Sequence, residues 1–132
     1  SGTTWLVTTL PNVTVPPGGY VLVEQAGGTT GSPLPTPDAT GTVNMSATNG
    51  KVALVAGTAA LSGSCPTAGV IDFVGYGTAN CFEGTAAAPA PSNSKAVVRG
   101  AGGCVDSDDN ATDFTAGTPA PRNSATTPAS CN

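Results

Sequence analysis

The 132-residue sequence predicts an all-β fold of antiparallel strands, a sandwich or a barrel. Three observations carry this. Short segments rich in valine and other β-formers recur between clusters of turn residues. Eighteen glycines and twelve prolines supply those turns. No run is long enough or periodic enough for a helix, and the one alanine triplet, Ala86–Ala88, is ended by Pro89.

Trp5–Leu10 (WLVTTL) is rich in β-formers. Pro16-Pro17-Gly18-Gly19 then turn the chain, and Tyr20–Gln25 (YVLVEQ) alternates and reads as a strand. Residues 26–41 read as a long loop, in which prolines at 33, 35 and 37 favour extended backbone. Asn49-Gly50 is a tight-turn signal before the apolar strand Lys51–Ala56 (KVALVA). Val70–Tyr76 (VIDFVGY) is another strand, and Gly75 and Gly77 mark a bulge or a close backbone approach. Ala86–Ser92 reads as loop and Lys95–Arg99 (KAVVR) as a short strand. Phe114 plugs the core, and a tail rich in Pro, Thr and Ser (118–132) is anchored by Cys131. The length suits one domain over residues 1–132.

Apolar residues make up 39% of the chain, enough for a core, whereas charged residues make up only 9%, far below the roughly one quarter usual in cytosolic proteins. A surface of Thr, Ser, Asn and Gly suggests a secreted, extracellular or cell-surface protein, and the Ala/Thr/Gly usage suggests a bacterial one. The net charge is −4, and the four cations (Lys51, Lys95, Arg99, Arg122) form no cluster, so nucleic acid is not an expected partner. No apolar run approaches the roughly 18 residues of a membrane helix, so membrane insertion is not expected. No signal peptide is legible, which reads as a mature form or a fragment.

Histidine is absent, and Cys65, Cys81, Cys104 and Cys131 lack the close CxxC spacing of a zinc site. Disulfides are the reading. Of the three pairings, Cys65–Cys81 with Cys104–Cys131 is expected, because each bond closes a short, turn-rich segment; each stabilises by about 3 kcal/mol. An oxidising compartment follows.

Cys104–Phe114 (CVDSDDNATDF) holds four of the eight acidic residues. An EF-hand match begins at Asp106, Asp108 and Asn110, but Ala111 stands where glycine is needed and Gly117 where the last carboxylate is needed. An irregular calcium site on Asp106, Asp108, Asp109 or Asp113 is the alternative. The main reading is a structural turn: Asp106 and Asn110 accept local N–H groups, Arg99 (or Arg122) pairs with a carboxylate, and Phe114 packs inward. Neighbouring carboxylates on one loop rarely frame a cleft for acid–base catalysis. Without histidine the common nucleophile triads are excluded, no SxxK motif replaces them, and the glycine clusters lack a Walker lysine. No catalytic residue, and no cofactor other than the calcium alternative, is expected.

Placement beside Val and Leu favours core packing for the aromatics Trp5, Tyr20, Phe73, Tyr76, Phe82 and Phe114; Tyr76 and Phe82 are the ones expected to be exposed. Asn12, Asn44 and Asn110 begin sequons, which are glycosylation sites only in a host with the machinery.

The ordered segments TTLPNVTVPPGGYVLVEQA, PLPTPDATGTVNMSATNGKVALV, VIDFVGYGTANCFEG, VVRGAGGCVDSDDNATDF and TPAPRNS resemble the bacterial lamin-tail-like domain over almost the whole chain. The resemblance implies an immunoglobulin-like antiparallel β-sandwich serving as an accessory module of secreted or surface proteins, without chemistry of its own. The family begins earlier, and about two N-terminal strands have no counterpart here. They are expected either upstream of Ser1 or from another chain, or the sheet closes differently. The function expected is a non-catalytic structural or interaction module of the cell exterior, with protein or self-association as the partner class. The alternatives are a filament subunit completed by a neighbour's strand, or a module of a secreted enzyme such as a nuclease that binds cell-wall carbohydrate or calcium.

Overall fold

A computed structural model describes residues 2–132. The chain is mostly strand with almost no helix, and it forms two compact units. The smaller unit comprises Thr8–Met45 and Ala120–Asn132; the larger comprises the segment up to Val7 together with Ser46–Pro119.

The smaller unit holds β1 (Val23–Ala26) and β2 (Ala39–Asn44). They pair in parallel, Val23 with Ala39, Glu24 with Thr40 and Ala26 with Asn44, with an irregularity at Gln25. Parallel pairing needs a crossover, which the proline-rich segment between them supplies. The Gln25 amide fills the irregularity: its Oε1 accepts the Val43 N–H at 3.1 Å, and its Nε2 donates to Thr8 Oγ1 at 2.8 Å. The tail belongs to this unit. Asp38 accepts the N–H groups of Leu22 (2.8 Å) and Ser124 (2.9 Å) and the Ser124 hydroxyl. Asn123 Nδ2 donates to the Thr36 carbonyl at 3.0 Å, and the Arg122 guanidinium stacks 4.2 Å from the Tyr20 ring centre. The Ala129 N–H donates to the Gly18 carbonyl at 2.9 Å.

The larger unit holds β3 (Gly50–Val55), β4 (Val70–Tyr76), β5 (Ala96–Arg99), a 3-10 turn (Ala101–Gly103), the one-turn helix α1 (Asn110–Asp113) and β6 (Phe114–Gly117). β3 and β4 pair antiparallel from Gly50–Tyr76 to Leu54–Asp72; Val55 then opposes Val70, leaving Ile71 as the extra residue of a bulge. β5 and β6 pair antiparallel, Arg99 opposite Phe114. Ala88 bridges to Tyr76, exchanging bonds with Gly75 and Gly77. The core is small: Tyr76, Ala88 and Phe114 are buried with Val74 and Val97 against them, and Phe73, Ala79 and Cys81 are buried as well. Gly75 permits the closeness on the second side, since a Cβ there would lie 2.0 Å from the Cys81 carbonyl oxygen. The N-terminal segment is held by a Thr4–Ser62 bridge, by the Trp5 indole donating to the Gly63 carbonyl (3.0 Å), and by Trp5 meeting Phe73 edge-on at 5.7 Å. The Lys51 ammonium donates to the carbonyls of Gly2 (2.9 Å) and Ser64 (2.7 Å) and to Asn80 Oδ1 (2.9 Å).

Cys65 and Cys81 form a disulfide, with Cα atoms 5.3 Å apart. Cys104 and Cys131 are disulfide-bonded as well, so the chain carries two disulfides and no described cysteine is free. That is compatible with an extracellular location. No helix among the described residues is long and apolar enough to cross a membrane.

The β-formers of Trp5–Leu10 join no ladder among the described residues, and Leu6, Val7 and Leu10 are exposed. Three expectations need correction. β2 begins at Ala39, inside the segment read as loop to residue 41, and it pairs in parallel where antiparallel pairing was expected throughout. β6 is a strand where none was expected, because Phe114 both plugs the core and opens a ladder with β5. Tyr76, expected to be exposed, is only 6% exposed; its ring covers Gly50 and its hydroxyl donates to the Ser46 carbonyl at 2.9 Å.

Candidate functional site

The aspartate-rich segment folds into a turn whose side chains bind its own backbone and the neighbouring strands. Asp109 caps α1: its Oδ1 accepts the Ala111 N–H at 3.1 Å and its Oδ2 the Thr85 hydroxyl at 2.9 Å. Asp108 adopts φ 54°, a left-handed conformation that aspartate tolerates better than most residues. Asp113 is buried; it accepts the Ser107 hydroxyl at 2.6 Å and the Ser107 N–H at 2.9 Å. These bonds hold the carboxyls of Asp113 and Asp109 below the usual carboxylate range, through the Ser107 and Thr85 hydroxyls first.

Asn110 has no exposed surface. Its Oδ1 accepts the N–H groups of Gly75 (2.8 Å) and Glu83 (3.2 Å); its Nδ2 donates to the Phe73 carbonyl (3.0 Å) and to Glu83 Oε2 (3.2 Å). One amide thus ties α1 to β4 and to the 81–83 segment. It leaves no room for a glycan in the folded chain, which removes Asn110 from the candidate glycosylation sites; Asn12 and Asn44 are exposed.

Arg99 gathers the acidic residues from the other side. Its Nη2 lies 2.8 Å from Asp72 Oδ2 and its Nη1 lies 2.8 Å from Asp106 Oδ1, while Asp113 Oδ2 is 4.0 Å away. The guanidinium stacks 4.5 Å from the centre of the Phe114 ring. Burial works against its charge, but Asp106 and Asp72 more than offset that and raise its pKa. Arg99 thus brings Asp106 and Phe114 together, but the local N–H bonds expected of Asp106 and Asn110 are not the ones formed: Asp106 pairs with Arg99, and Asn110 accepts from Gly75 and Glu83, distant in sequence, because its side chain is buried against β4; Arg122 stacks on Tyr20.

The four aspartates do not converge. Asp106 lies on Arg99, Asp109 on Thr85 and the α1 backbone, and Asp113 on Ser107. Among the described residues no three His, Cys, Asp or Glu side chains group as metal ligands. Asp72 and Glu83 had no distinguishing mark in the sequence. The only signal was their occurrence beside the aromatics Phe73 and Phe82 in an otherwise uncharged stretch, and their partners lie 27 residues away.

An open pocket of about 230 Å³ lies on the larger unit, lined by Pro66, Val70, Ile71, Phe73, Phe82, Glu83 and the Cys65–Cys81 disulfide among others. Ile71, in the bulge, is 63% exposed and Phe82 is 37% exposed. The Glu83 carboxyl is pushed up by partial burial first and by the charge of Asp72 second, with Asp108 adding to it against the Asn110 bond. Comparison with protein-family models, with curated proteins and with solved structures returned no match.

Proposed function

We propose that the chain is a non-catalytic interaction module of the cell exterior, built as an incomplete immunoglobulin-like sandwich of the lamin-tail type. The observation that carries this is where its apolar side chains lie. On the β3–β4 ladder Val52, Leu54 and Ile71 are 45%, 47% and 63% exposed, beside a core of only a few buried side chains. Exposed aliphatic residues on a two-stranded ladder invite a partner, because such a ladder alone is marginal in water. Asp106, Asp109 and Asp113 support the non-catalytic reading, since their carboxylates are occupied by Arg99, by hydroxyls and by backbone N–H groups.

A second reading, a self-assembling subunit completed by a neighbour's strand, draws on the same residues. β3 (GKVALV) carries one charge, that of Lys51, which is turned back onto carbonyls of its own unit, so little on that strand guards against edge pairing. Light scattering on the eluted, oxidised chain over a concentration series tests both readings. A concentration-dependent mass favours self-assembly, and a strict monomer favours a different partner. Turnover in a broad hydrolase screen would remove the non-catalytic reading altogether.

A further inference from the structure

We propose that the pocket beside the Cys65–Cys81 disulfide receives one basic side chain, a lysine or an arginine, presented by a partner protein; this rests on reading the chain as an interaction module. Size sets the first limit. Small-molecule sites usually enclose about 300–1,000 Å³, and this pocket of about 230 Å³ suits a single long side chain. Its walls set the second. Pro66, Val70, Ile71, Phe73 and Phe82 offer apolar contact for a methylene stem, and Glu83 is the one charged residue among them.

Charge decides which side chain. No lysine or arginine lines the pocket, and the chain carries a net charge of −4. Glu83 sits partly desolvated in the field of Asp72 and Asp108. Arg99 pairs with Asp72, and the Glu83 carboxylate accepts only neutral donors, the Asn110 amide (3.2 Å at Oε2) and the Phe73 N–H, so among the described residues no cation faces Glu83 itself. An incoming ammonium or guanidinium relieves that field and finds the Phe82 ring beside it. Ile71, in the bulge, lines the pocket and is still 63% exposed, an apolar lip that a free amine would leave uncovered and a protein surface would cover.

The test is an amide-shift titration of the full oxidised chain with Nα-acetyl-lysine amide, Nα-acetyl-arginine amide and the uncharged Nα-acetyl-norleucine amide. The expected result is shifts centred on residues 65–73 and 81–84, with the basic probes binding about tenfold more tightly than norleucine, the worth of one charge-assisted hydrogen bond. Glu83→Gln keeps an acceptor for Asn110 and removes the charge, so it is expected to erase the preference. Ile71→Ser, at an exposed position, is expected to weaken all three probes. Equal binding of norleucine, a preference that survives Glu83→Gln, or no shift up to about 100 mM probe, far beyond weak millimolar binding, overturns the proposal. If Glu83→Gln does not fold, the lysine–norleucine comparison and Ile71→Ser still decide. A failed titration leaves the light-scattering result standing, and enzymatic turnover would end the interaction reading without touching the titration.

Discussion

At the scale of single residues, Asn110 is the tie whose loss matters most. Asn110→Ala leaves the N–H groups of Gly75 and Glu83 and the Phe73 carbonyl without their partner inside the protein. At about 1–3 kcal/mol for each buried unpaired group, the variant is expected to lose at least about 3 kcal/mol in urea unfolding. Acid should act through the aspartates. Asp38, Asp109 and Asp113 have pKa values lowered in the folded chain, by the Leu22 N–H and by the Thr85 and Ser107 hydroxyls respectively. Their contribution is therefore present above the unfolded value of about 3.9 and is lost as pH falls through the lower folded values. Glu83 has the opposite sign: its folded pKa is raised, so protonation favours the fold as pH falls through that value. Urea midpoints measured from pH 7 down to pH 2 should rise slightly and then fall, and Glu83→Gln should remove the rise. The sequence made the local part of this legible, because Asp109 accepts from Ala111 two residues on and Asp113 from Ser107 six residues back; the Thr85 hydroxyl on Asp109, 24 residues away, was not legible. Asp72 and Glu83 were not legible, because their partners arrive from across the fold.

At the scale of elements, strands that carry their own signals were readable. β3 and β4 have apolar runs bounded by Asn49-Gly50 and by glycines, and they lie where the pattern puts them. β2 and β6 (ATGTVN and FTAG) are nearly featureless in sequence and become strands only because β1 and β5 lie beside them. Trp5–Leu10 shows the converse, a strong β propensity without a ladder partner among the described residues. The same reasoning separates the glycines. A Cβ at Gly75 would lie 2.0 Å from the Cys81 oxygen, and one at Gly77 (φ 64°) would lie 2.0 Å from the Thr48 oxygen. Gly75→Ala and Gly77→Ala are expected to lower thermal stability sharply, by about 2 kcal/mol or more. At Gly27 nothing lies within 4 Å, so Gly27→Ala should be close to neutral. Opening the Cys65–Cys81 loop with paired Cys→Ser changes should cost about 3 kcal/mol by the same measurement.

At the scale of the whole molecule, strand content and oxidised cysteines followed from composition, because turn residues, short valine-rich runs and even cysteine numbers are properties of the whole chain. Sheet size was not legible: pairing joins segments distant in sequence, and the result is three two-stranded ladders. The exposed aliphatic residues of β3 give a prediction at this scale. If self-association is found, the double change Val52→Thr and Leu54→Thr should return the mass measured by light scattering to that of one chain, because it removes apolar contact while placing β-branched, strand-forming residues at both positions. The tail gives another. Ala120–Asn132 belongs to the same compact unit as Thr8–Met45, and Asp38, Thr36 and Gly18 bond to Ser124, Asn123 and Ala129. A chain stopped after Pro119 should therefore lose the dispersed amide signals of residues 8–45. During synthesis that unit cannot close until residues 120–132 have followed residues 8–45 out of the ribosome. Residues 8–45 therefore wait without their partners while the whole of 46–119 is made.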